Sequence, residues 1–120
     1  MVELPEWFVN ACGPYIPDLG RIYWVKSPLL DANDPKPRRP VLVLRIPETT
    51  SGTVAFAIRS KSNKNGQEHP AHPQQGLSHK GWFVELVVAQ CGLWTPESAE
   101  SCDVVVDDVT FSYVYRDLNP

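Results

Sequence analysis

The sequence predicts an all-β fold, a small antiparallel barrel or sandwich with only small helical elements. Three observations carry this. About six short runs alternate apolar and polar side chains with the period of two that a half-buried strand needs. Clusters of Pro, Gly, Asp and Ser separate the runs and supply turns. A chain of 120 residues with 42% apolar content suffices for one domain with one core, spanning 1–120.

Residues 21–26 give the first strand, with Ile22, Trp24 and Lys26 alternating with Tyr23 and Val25. Residues 41–46 give the second, with Val41, Val43 and Arg45 on one face and Leu42, Leu44 and Ile46 on the other. Val54, Phe56 and Ile58 face one way in a third strand at 53–60. Further strands are expected at 82–89, 102–106 and 109–115, the last through alternation of Val109, Phe111, Tyr113 and Tyr115. A short helix is expected at 5–11, within an N-terminal cover segment of residues 1–19. A single helical turn is expected near 96–100, where Thr95 can cap and Pro96 can open it.

The loop between the first two strands holds prolines at 28, 35, 37 and 40, which keep it extended. It carries Asp31 and Asp34, then Lys36, Arg38 and Arg39. Two arginines on a stiff loop can be aimed at one point, and a planar guanidinium suits a phosphate. The plainer reading is that both are solvated surface residues.

Residues 61–80 are polar and long for a loop in a compact domain, so a long mobile loop, or a functional one, is expected there. They contain His69, His72 and His79. Two of the three precede proline, which disfavours a helical ligand pair, and no thiol or carboxylate partner stands at a recognisable spacing; no metal or cofactor is expected. Surface histidines, or a role in proton transfer, are the two readings. Cys12, Cys91 and Cys102 are odd in number and match no zinc pattern, which suits buried thiols in a reducing compartment. No apolar run is long enough to span a bilayer, and the first residues carry acids where a signal peptide carries cations. A cytoplasmic protein without a membrane partner is expected.

Net charge is −3, which argues against a nucleic-acid partner, but its distribution argues the other way. Residues 20–80 hold ten cations against four acids, and the rest of the chain one cation against ten acids. One basic face fit for a polyanion is therefore expected. Trp24 and Trp82 read first as core, with base stacking as the second reading for Trp24. Trp94, in a turn, is expected to be exposed or at a protein interface.

The string YIPDLGRIYWV at 15–25, followed by RPVLVL at 39–44, resembles the MazF/PemK family of toxin endoribonucleases, whose members show YxPDxGDLxWxDF, a loop with Gly-x-Glu-Gln, then Arg-Pro-x-x-Val-Leu. The resemblance runs over residues 15–62. It implies an SH3-like antiparallel β-barrel of the MazF/PemK/CcdB type that forms a homodimer. It implies metal-independent cleavage of single-stranded RNA and a cognate antitoxin protein with an acidic flexible segment. Arg39 matches the family's catalytic arginine. Asp34 aligns with the loop glutamate, as a base or as the group that orients Arg39. Arg59 stands where the family has threonine, and Ser60 is the nearest hydroxyl; either is placed to contact the scissile phosphate. Lys36, Arg38, Lys61 and Lys64 are expected phosphate contacts. Arg21, Lys26, Pro35 and Pro37 depart from the pattern. The alternative is the same barrel without catalysis, binding nucleic acid or protein.

Overall fold

In a computed structural model that describes residues 15, 17–48 and 52–120, six strands form one antiparallel sheet in the order β4-β5-β3-β2-β1-β6. The strands are β1 (Arg21–Val25), β2 (Arg39–Arg45), β3 (Thr53–Ser60), β4 (Gln67–His69), β5 (Gly81–Gln90) and β6 (Ala99–Val105). The sheet curls into a partial barrel, and one helix, α1 (Asp108–Leu118), follows. The helix expected at 5–11 lies outside the described residues.

Strand alternation sorts the apolar residues into two clusters, one on each face. Tyr23, Val25, Val41, Val43, Val54, Phe56 and Ile58 meet Trp94 on the first face. Ile22, Leu42, Leu44, Ala57, Leu77 and Phe83 meet Cys102, Val104 and Val114 on the second. Ile46 packs with the first cluster, against the expectation that it faces with Leu42 and Leu44. The register shift between Val43 and Arg45 is the reason: one irregular step exchanges the faces.

Residues 109–115 are helical, which corrects the expected strand. Asp107 caps the helix by accepting from the Thr110 amide, and Asn119, at φ 49°, ends it in the left-handed conformation. Phe111, Val114 and Leu118 fall on one face at helical spacing and pack on the second cluster, while Val109, Tyr113 and Tyr115 stay exposed. Trp94 is corrected too: it is fully buried, with its ring centroid 5.0 Å from that of Tyr23 and 6.0 Å from that of Phe56. At 96–98 the chain makes a turn closed by the amide of Ala99 on the carbonyl of Thr95, and then enters β6 directly.

Residues 61–80 hold more structure than a plain loop. β4 pairs with β5, so the segment folds back along the sheet edge. His72 and Leu77 then bridge around a short 3-10 turn, Pro73–Gln75. Leu77 is buried and anchors the excursion in the second cluster. Cys91 and Cys102 are buried. Among the described residues no helix is long and apolar enough to cross a membrane.

Candidate nucleic-acid interface

Where β1 and β3 end and β2 begins, beside the 72–80 segment, a cleft of about 330 Å³ opens. It is lined by Lys36, Arg38, Arg39, Arg59 and Lys61, by Trp24 and Leu77, and by Ser78 and His79. Among the described residues no Asp or Glu lines it. The basic excess of residues 20–80 therefore has a concave focus.

The loop into β2 sets the first cationic centre. Asp34 accepts from the Lys36 amide at 2.9 Å, an Asx turn that stiffens the proline-flanked loop. Its two oxygens take Arg39 Nε at 2.7 Å and Nη2 at 2.9 Å. The bond to Arg39 holds the Asp34 carboxyl below the usual carboxylate range, helped by the Lys36 amide, and the same bond pushes the Arg39 guanidinium up. The pair fixes a permanent cation and leaves Asp34 a poor proton acceptor.

Alternation along β2 places Arg39 on the side of Val41 and Val43. Val41 pairs with Ile58, so two residues further on Ser60 falls on that side at the same end of the sheet. The Ser60 oxygen accepts from the amides of Ser62 and Asn63, at 3.2 and 2.9 Å, and so holds the turn that leaves β3. Ser60 and Lys64 are not among the residues that line the cleft; the Lys64 ammonium lies over the Trp82 ring at 5.5 Å.

Arg59 faces the other way, with Ala57, and is the second cationic centre. It is only 6% exposed. Its Nε donates to His69 Nδ1 at 3.0 Å, and its Nη2 to the carbonyls of Pro70 at 3.1 Å and His79 at 2.8 Å. One guanidinium thus ties β3 to both limbs of the 61–80 excursion. Gly81 makes the space: a Cβ there would lie 2.6 Å from Arg59 Cζ. Burial lowers the Arg59 pKa, and burial, then the Arg59 charge and His72, push the His69 pKa down to about 4. His69 is therefore a neutral acceptor, stacked on His72 at 5.0 Å. His79 Nδ1 lies 3.0 Å from Ser78 Oγ at the cleft rim.

Trp24 is half-buried and forms a wall, with the Arg38 guanidinium 4.6 Å from its ring centroid and Gly76 against its indole edge. The sequence thus brings Trp24, Lys36, Arg38, Arg39, Arg59 and Lys61 together, with Asp34 behind Arg39. Sequence reasoning missed the His69–Arg59–His79 clasp. Its one signal was Gly81 before a bulky strand, a pattern of close approach.

No family model matches the sequence, and no curated protein matches it. Among solved structures, the fold is similar to MazF from Deinococcus radiodurans, both as MazF itself and in a MazE–MazF complex. Each comparison gives a TM-score of 0.59 and 19% identity, covering 88% of this chain and 94% of that chain. The class is a small, curled antiparallel barrel with a C-terminal helix and a cationic cleft at one end of its sheet. Within that class, the chain has the MazF fold.

Proposed function

We propose that this protein is a metal-independent endoribonuclease, the toxin of a type II toxin–antitoxin system, that cleaves single-stranded RNA. The observation that carries the reading is the two-point Arg39–Asp34 pair, which sets Arg39 into a cationic cleft that no acid lines among the described residues, within a MazF fold. The ribose 2′-hydroxyl gives up its proton and attacks the adjacent phosphorus. The bond from phosphorus to the 5′-oxygen breaks, the leaving oxygen takes a proton, and a 2′,3′-cyclic phosphate remains. Because the substrate carries its own nucleophile, no metal-bound hydroxide is required. The demand on the protein is a fixed cation where phosphorane charge grows, and Arg39 supplies it. Asp34 orients Arg39 rather than acting as the base, since its oxygens are already engaged. Lys36, Arg38 and Lys61 hold neighbouring phosphates, and Trp24 offers a face for a base.

The same cleft suits the acidic, flexible segment of an antitoxin, which would compete with RNA for its cations; the chain acts as a homodimer in the cytoplasm. A second reading, a barrel that binds RNA or protein without cutting it, draws on the engaged oxygens of Asp34 and Ser60. Incubation with a defined single-stranded RNA in EDTA, with mapping of cut sites and 3′ ends, separates the two. Discrete cuts with cyclic phosphate ends support the nuclease. Intact RNA that still binds supports the module.

A further inference from the structure

We propose that the Arg59 end of the cleft is a second phosphate site, filled by a backbone phosphate of the bound RNA that flanks the scissile one. This rests on the RNA reading above but on a different set of groups. Arg39 already has its counter-ion in Asp34. Arg59 has none: among the described residues no carboxylate lies within ion-pair distance of it. Its bonds go to an imidazole nitrogen and to backbone carbonyls, all uncharged. Those bonds run through Nε and Nη2, so Nη1 is not committed among the described residues.

A buried charge without a counter-ion is costly, and the fold nonetheless builds around this one with a glycine at 81 and three fixed acceptors. That cost is recovered when an anion arrives. Among the described residues, the other charged side chains that line the cleft, Lys36, Arg38, Arg39 and Lys61, are all cations. The volume of about 330 Å³ exceeds what a lone phosphate fills, and Trp24 and Leu77 give an apolar wall for a sugar or base. The combination fits a nucleotide unit of a strand better than an acidic side chain. By alternation the Arg39 and Arg59 side chains leave opposite faces of β2 and β3 and reach the one cleft from different sides, which suits two phosphates rather than one.

The test uses an uncleavable 2′-O-methyl oligonucleotide in which each linkage in turn is a neutral methylphosphonate. Binding is read by fluorescence anisotropy for the wild type, Arg59→Gln and Lys61→Ala, each checked for folding by near-UV circular dichroism. Cleavage of the all-ribose strand is read in parallel. The expected result is one linkage whose neutralisation weakens wild-type binding about 10- to 100-fold and leaves Arg59→Gln unchanged. Lys61→Ala, on the exposed rim, should show a smaller penalty at that linkage and carries the test if Arg59→Gln does not fold. Equal penalties in wild type and variants overturn the site, even if the RNA is cut. An Arg59-dependent linkage without cleavage keeps the site and removes the nuclease. Binding of inorganic phosphate or an acidic peptide, with no Arg59-dependent linkage in the oligonucleotide, also overturns it.

Discussion

Arg39 grips Asp34 at two points, Nε on Oδ2 at 2.7 Å and Nη2 on Oδ1 at 2.9 Å, across the stiff loop that leads into β2. Asp34→Asn keeps the shape but removes the charge that aligns the guanidinium. Cleavage should fall about 10- to 100-fold, the cost of a mis-set charge-assisted contact, while RNA binding is retained. The lowered Asp34 pKa sets the sign of the pH effect: alignment is complete above the ordinary carboxylate range, around pH 4, and is lost as pH falls through the lowered value. Single-turnover rates for both proteins between pH 3 and pH 7 check this.

His69 makes stability depend on pH through a different route. Its folded pKa is lowered from 6.5 to about 4, so between those values the unfolded chain binds a proton that the folded chain refuses. The contribution is complete above pH 6.5 and is lost as pH falls through that window, by about 3 kcal/mol. His69→Gln keeps an acceptor for Arg59 and cannot titrate. Its melting temperature should therefore fall less than that of the wild type between pH 7 and pH 4.5.

Gly81→Ala places a Cβ against a guanidinium that three acceptors hold in position. A loss of about 1–3 kcal/mol is expected in urea unfolding. The same substitution in an Arg59→Ala background should cost much less, which a double-mutant cycle reads directly.

The sheet was legible because its signal is local. Val54, Phe56 and Ile58, or Val41 and Val43, alternate along their own strands, and each found the face its period assigned. The helix was not legible, because Val109, Phe111, Tyr113 and Tyr115 alternate by accident. The 3.6-residue period of Phe111, Val114 and Leu118, with a cap at each end, outweighs that pattern once a core is present to receive it. In the site, Arg39 and Asp34 were readable because they lie five residues apart on one loop. Arg59 was read as a phosphate contact in the place of threonine, but its clasp on the 61–80 segment was not legible, because its acceptors come from 10 and 20 residues away, through a fold-back that no local pattern encodes.

Trp94 illustrates the same limit. A turn sequence pointed outward, yet the ring fills the first cluster, and its Nε1 has no hydrogen-bond partner among the described residues. Trp94→Ala should cost about 3–5 kcal/mol. Trp94→Phe, which drops the unpaired donor and keeps a ring, should cost clearly less in the same denaturant titration.

The most direct measurement compares wild type with Arg39→Ala on an unstructured RNA in EDTA, with folding verified and the 3′ ends identified. Cyclic phosphate ends are expected from the wild type and no cutting by the variant, which remains folded because Arg39 lies at the start of its strand rather than in the core. An uncut RNA with the wild type, or equal cutting by a folded Arg39→Ala protein, would contradict it.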